Sequence, residues 1–109
     1  MATALKVLGQ SAPLATTLTT LYTVPGATSA VCSSLVVTNR SAVSVTFRVA
    51  VRPAGAAIAN EHYLYYDVAL GKNDTFVATI GITLATTDVV SVYASTANLS
   101  FNLFGQEVT

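Results

Sequence analysis

The chain has 109 residues, with five basic side chains, five acidic ones and a single histidine, so its net charge is zero when His62 is neutral. That length fits one domain, which buries roughly two-thirds of the surface its unfolded chain exposes and needs no metal or disulfide to build a core. No basic patch offers itself to nucleic acid, no apolar stretch reaches the ~18 residues of a membrane helix, and Cys32 has no second cysteine to pair with.

Lys6-Val7-Leu8 reads as a short first strand or as part of an N-terminal arm over residues 1–13, broken by Gly9-Gln10-Ser11-Ala12-Pro13. Thr16 to Val24 is rich in Thr, Leu and Tyr and predicts a strand, closed by the turn pair Pro25-Gly26. Ala30 to Thr38 follows, with Val31, Leu35 and Val37 expected on one face. Asn39-Arg40-Ser41 then reads as a tight turn into Val43–Arg52, giving a hairpin. Val43–Arg52 carries the clearest pattern: Val43, Val45, Phe47, Val49 and Val51 alternate with Ser, Thr, Arg and Ala. A period of two over ten residues buries one face of a strand, whereas a helix would scatter those side chains around its circumference.

Pro53 to Glu61 is the longest interruption and reads as a loop crossing between sheets. Tyr63 to Leu70 alternates again, with Leu64, Tyr66, Val68 and Leu70 assigned to one face and Tyr63, Tyr65 and Asp67 to the other. Gly71-Lys72-Asn73-Asp74 is a polar turn. Thr75 to Leu84 places Phe76, Ala78, Ile80, Ile82 and Leu84 at spacing two. Thr87-Asp88 turns the chain into Val89–Ala94, and Ser95-Thr96-Ala97-Asn98 turns it into Leu99–Phe104. Gly105 is a place for a bulge or bend before Gln106-Glu107-Val108. The fold expected is all-β: a single antiparallel β-sandwich over residues 1–109, with seven to eight strands, of immunoglobulin-like or jelly-roll type.

Chemistry-bearing constellations are scarce. His62 follows Glu61, but neighbours on a strand point to opposite faces, and one histidine lacks the partners of a zinc site. Asp67, Asp74 and Asp88 match no calcium-loop spacing, and Asp74 and Asp88 read as turn residues at strand entries. Cys32 reads as a small buried hydrophobe. Asn39-Arg40-Ser41, Asn73-Asp74-Thr75 and Asn98-Leu99-Ser100 fit the glycosylation sequon; without a secretory signal at Met1–Lys6 they read as turn chemistry. Neither a nucleophile elbow nor a phosphate loop is present, so the expectation is a protein that is not an enzyme and holds no catalytic residues, cofactor or metal.

Two features point to contact with other chains. Only 9% of residues are charged against 52% hydrophobic, while soluble surfaces are designed with about 25–35% charge. That balance predicts a surface covered by neighbours, hence a homo-oligomer, a trimer or larger. Tyr63, Tyr65, Arg48 and Arg52 stand out as candidate protein-contact residues. The two tyrosines are expected on an exposed strand face, and the two arginines on the polar face of their strand.

Several phrases stand in an order that resembles small structural proteins of tailed bacteriophages. They are Lys6-Val7-Leu8-Gly9-Gln10, Leu21-Tyr22-Thr23-Val24-Pro25, Val36-Val37-Thr38-Asn39-Arg40, Thr46-Phe47-Arg48-Val49 and Asn98-Leu99-Ser100-Phe101-Asn102-Leu103-Phe104-Gly105. The resemblance spans nearly the whole chain and involves strand and turn phrases rather than catalytic motifs. It implies a non-enzymatic virion component made in the host bacterial cytoplasm. Its partners would be the major capsid protein or tail proteins, without nucleic acid or membrane. The role expected first is capsid decoration or cement; a tail, neck or fibre subunit and a carbohydrate- or receptor-binding module are the alternatives.

Overall fold

A computed structural model describes residues 2–109. Nine strands form in order: β1 (Thr3–Ser11), β2 (Thr19–Thr23), β3 (Ser29–Asn39), β4 (Val45–Arg52), β5 (Tyr63–Leu70), β6 (Thr75–Ala78), β7 (Ile82–Leu84), β8 (Val89–Ala94) and β9 (Leu99–Val108). They make two antiparallel sheets. The first sheet runs β1-β9-β3-β6, with β7 also on β3; the second runs β2-β8-β4-β5. Because β6 and β7 lie along the same side of β3, they act as one strand interrupted at Thr79–Gly81, and the count becomes eight, within the seven to eight expected.

The pairing of first with last decides between the two expected topologies. β1 pairs β9, β2 pairs β8, β3 pairs β6 and β7, and β4 pairs β5. A long hairpin rolled on itself produces that nesting, with β9 also against β3 and β8 also against β4. This is the jelly-roll. The core lies between the sheets and is built from Leu35, Val37, Phe101, Leu103 and Leu99 facing Phe47, Val49, Val90 and Val92, all fully buried. Phe47 packs against Phe76 and Phe101 with ring centroids 5.2 and 6.2 Å apart, distances at which tilted aromatic pairs attract.

Several sequence expectations are corrected by the fold. β3 and β4 are not a hairpin, since they belong to opposite sheets. Asn39 turns the corner instead: its buried side-chain amide donates to the carbonyls of Val43, Leu70 and Gly71 at 2.8, 3.3 and 3.0 Å, and its Oδ1 accepts from Ser41 N–H at 3.0 Å. Those bonds replace ladder bonds and steer the chain across the core. β1 does not break at Gly9 but continues to Ser11 along β9, so residues 3–11 form a full strand rather than an arm. Gly9 is a crossing point: a methyl there would overlap the Leu21 carbonyl of the opposite sheet.

Val31 does not share a face with Leu35 and Val37. Cys32 pairs with Gly105 and Ser34 with Phe104, so Ser33 is an unmatched bulge residue that reverses the alternation. Ala30 and Cys32 point inward on one side of the bulge and Leu35, Val37 and Asn39 on the other. The bulge expected near Gly105 therefore inserts its extra residue in β3, not β9.

Candidate functional site

The outer faces of the two sheets differ in chemistry. On the first sheet, register places Leu5, Gln106 and Val31 in one outward row, Val7, Phe104 and Ser34 in the next, and Gln10, Asn102, Val36 and Val77 in a third. Leu5 and Val77 are 82% and 60% exposed. A shallow depression of about 250 Å³ opens on this face between Leu5, Val31, Ser33, Gly105 and Gln106. The strands of this sheet carry only two charged residues, Lys6 and Glu107, and neither belongs to the outer rows. Lys6 Nζ lies 3.0 Å from Glu107 Oε1, while the Tyr22 hydroxyl of the opposite sheet donates to Oε2 at 2.6 Å. The outer face of this sheet thus holds no charge; its exposed apolar side chains are Leu5 and Val7 on β1 and Val77 on β6, in rows that also hold Gln10, Ser34, Asn102 and Gln106.

Glu107 is the electrostatic tie at that end of the sandwich. Hydrogen bonds from Tyr22 and then Lys6 hold its carboxyl below the ordinary carboxylate range. Tyr22 is displaced the opposite way, first by burial and then by Glu107, well above the ordinary phenol range. A carboxylate whose folded pKa is depressed contributes stability above its unfolded value, about 4.3, and loses it as pH falls through the folded value. Glu107→Gln is therefore expected to lower the thermal midpoint at pH 7. The difference should shrink from about pH 5 downward, and thermal melts of both proteins across that range are the check.

The second sheet gathers the charge and the aromatic rings. Arg48 on β4 donates from Nε and Nη2 to the two carboxylate oxygens of Asp67 on β5, at 2.6 and 3.3 Å. Its guanidinium lies 4.2 Å from the Tyr66 ring centroid and 4.4 Å from that of Tyr93. Tyr63 meets Tyr66 edge to face at 4.9 Å. Asn60, Tyr63 and Tyr66 line a shallow depression of about 370 Å³. The cluster is neutral in sum. The planar guanidinium lies within cation–π distance of both rings and has a forked carboxylate partner.

Of the four sequence-chosen contact residues, two stand here and two do not. Tyr63 and Arg48 belong to this cluster. Tyr65 packs on the core, with its ring 5.2 Å from Phe76 and 6.3 Å from Phe47, so it is not a partner of Tyr63 on an exposed face. The reason is that β5 bulges twice: Val49 pairs Tyr65 while Ala50 pairs Tyr63, and Phe47 pairs Val68. Asp67 adopts a left-handed φ of 51° within the second bulge. Tyr66, given to the inner face by alternation, is 56% exposed and stands outside. Arg52 is occupied within the chain. Its Nε donates to the buried Ser91 hydroxyl at 3.1 Å and its Nη1 to the carbonyls of Gly55 and Ala56, which fastens the Pro53–His62 loop to the sheet; that loop joins β4 to its antiparallel neighbour β5 within one sheet and does not cross between sheets as its length and Pro-Gly start suggested.

The residues set aside as chemically silent are tied up in structure. His62 Nδ1 accepts the Ala59 N–H at 3.1 Å. Asp88 accepts from the N–H groups of Ala54 and Ala85, each at 2.9 Å, and Asp74 from that of Thr75. Among the described residues no three His, Cys, Asp or Glu side chains gather in a metal-binding group. Burial raises the Cys32 thiol to about 11, which disfavours the thiolate that nucleophilic chemistry needs. The two outer faces thus differ in chemistry: one is uncharged and carries apolar side chains, the other is aromatic with an internal ion pair.

Sequence reasoning missed Tyr66, Tyr93 and Asn60, because cross-strand neighbours and bulges are not written in alternation. The uncharged face left a readable sign: Leu35-Val36-Val37 and Phe76-Val77-Ala78 are apolar at both parities, more than one buried face requires. No protein-family model, curated protein or solved structure matches this chain.

Proposed function

We propose that this chain is a non-enzymatic structural subunit of a tailed-bacteriophage virion, a decoration or cement protein seated on the capsid shell. The observation that carries the reading is the uncharged outer face of the β1-β9-β3-β6 sheet. Its only charged strand residues, Lys6 and Glu107, pair with each other off that face. A face of exposed Leu5, Val7 and Val77 without charge is suited to burial against a repeated surface. Many copies on a symmetric shell convert a weak single contact into firm attachment. The jelly-roll is an architecture that viral shells use, which supports the reading only by analogy of fold, and the phage-like strand phrases agree with it.

Particles lacking the protein, reloaded with purified chain and heated, give the test. Cement function predicts saturable occupancy on the shell and a higher temperature of genome release. Val36→Lys with Val77→Lys puts two charges on the uncharged face at outward positions and should lower occupancy by about tenfold or more, since burying an unpaired charge costs several kcal/mol. Reloading that leaves release temperature and shell occupancy unchanged overturns cement function. Labelled chain found at the tail, neck or fibre moves the subunit there. The Asn60–Tyr63–Tyr66 depression favours a second reading, a carbohydrate or receptor contact; binding to a multivalent glycan array that is lost on Tyr66→Ala would support it.

A further inference from the structure

We infer that the N-terminal half of β1 is a self-association edge: two copies pair their Thr3–Val7 segments antiparallel across a twofold axis at Leu5, joining two β1-β9-β3-β6 sheets into one. The inference concerns the partner of an edge, and it stands whether or not the chain belongs to a virion.

The backbone supplies the first argument. Ala2 and Thr109 exchange both of their N–H···O=C bonds, at 3.0 and 2.8 Å. In an antiparallel ladder such exchanging pairs alternate with non-exchanging ones. Thr3↔Val108 and Leu5↔Gln106 are therefore the non-exchanging pairs, so the N–H and C=O of Thr3 and Leu5 point away from β9. Since β1 ends the sheet, those groups face an open edge that can accept another strand.

This edge lacks the bulges and interruptions of the others, and its one charge within Thr3–Val7 is Lys6. β5, the long edge of the opposite sheet, is bulged twice and has Asp67 at left-handed φ. β2 has five residues and a register shift of its own, and the β6–β7 edge is interrupted. Thr3 to Val7 holds register on β9 without a shift, the first coming only between Val7 and Gly9. It contains no proline, and its residues are exposed on both faces, so this half-strand overhangs the opposite sheet.

Charge and register select a second copy as the occupant. A twofold contact sets each residue against its own symmetry mates, so it tolerates no unpaired charge near the axis. Centring on Leu5 opposes Leu5 to Leu5 and Thr3 to Val7, and it sets Lys6 opposite Ala4 instead of another Lys6, avoiding a like-charge pair. Lys6 is already held by Glu107. The outer rows that would continue across the axis carry no charge either. Edge pairing over so few residues buries less than the ~1,600 Å² of a standard interface, so the dimer is expected to depend on concentration.

Sedimentation of the purified chain over a concentration series, with cysteine cross-linking, tests this. Twofold-related Leu5 Cα atoms in an exchanging pair lie about 5.5 Å apart, within disulfide range. Mild oxidation of Leu5→Cys should give a covalent dimer. Thr3→Cys alone should not cross-link, because two Thr3 residues sit roughly 13 Å apart along the paired strands; mixed with Val7→Cys it should. Leu5→Lys should leave a folded monomer, since Leu5 is 82% exposed. A chain that stays monomeric and gives no Leu5→Cys dimer overturns the inference. So does an assembly that survives Leu5→Lys, or a Thr3→Cys homodimer. A monomer that binds purified shells through this edge, with Leu5→Lys abolishing that binding, assigns the edge to a different partner and equally overturns it. The Val36→Lys, Val77→Lys protein reports on the virion reading separately.

Discussion

Replacing Gly105 with alanine is expected to cost about 3 kcal/mol or more, the upper range for overpacking a well-packed interior, and to lower the thermal midpoint by roughly 10 °C or beyond. A Cβ at this position would overlap the Val31 carbonyl oxygen and lie 2.9 Å from Cys32 Cα. Both obstacles are backbone of β3, so no side-chain rotation relieves them. Nor can β3 retreat easily, because β6 and β7 hold its far side. The cause is the Ser33 bulge, which folds β3 against Gly105. Conformational freedom is not the issue, since Gly105 is not in the left-handed region. Gly26 and Gly81 provide the comparison: among the described residues, chain neighbours aside, neither has an atom within 4 Å of an added Cβ, and neither has a left-handed φ. Alanine there should leave stability unchanged or raise it by a few tenths of a kcal/mol through the unfolded chain. Equal losses at all three positions would mean that the β3–β9 bulge does not hold its place.

The second large effect is expected at Asn39. Asn39→Ala should destabilise by about 1–3 kcal/mol, because it removes the amide bonds to the carbonyls of Val43, Leu70 and Gly71, leaving them the longer bonds from Ser41 Oγ, Ser44 Oγ and Asp74 N–H, and takes away the Oδ1 acceptor of Ser41. Asn39 is 1% exposed, so water does not readily replace the lost donors. Asn39→Asp should be at least as damaging despite its shape, since it turns a carboxylate oxygen toward carbonyl oxygens. The backbone bond from Asn39 N–H to Asp74 O, at 2.9 Å, survives either change, which keeps the corner in place and allows the loss to be read by chemical denaturation. A variant of unchanged midpoint would show that the corner is held by the flanking strands alone.

Asn39 also shows where the sequence was legible and where it was not. Asn-Arg-Ser between two apolar alternations has the chemistry of a turn, and a turn is there. The chemistry does not say whether the next strand returns beside its predecessor or crosses to the other sheet. That depends on which carbonyls its amide finds, and two of them, on Leu70 and Gly71, lie some thirty residues away in sequence. β5 repeats the lesson for the contact residues. Strict alternation put Tyr63 with Tyr65 and Tyr66 inside. Bulges at Leu64 and Asp67 changed the parity twice, taking Tyr65 to the core and Tyr66 out beside Arg48. A bulge inserts one residue, and one residue is a whole side-chain period in a strand.

The sequence by itself determined that this is an all-β sandwich, where most of its strands and turns fall, and which side chains build the centre of its core. A period of two is a local property, and burial follows from it directly. Only the tertiary structure decided that the sandwich is a jelly-roll, that Arg48 is clasped by Asp67 beside Tyr66 and Tyr93, and that one sheet presents an outer face without charge. Each of these is a relation between strands distant in the chain. It is set by cross-strand register, and register turns on single bulge residues and on close backbone approaches at Gly9 and Gly105 that leave no periodic trace.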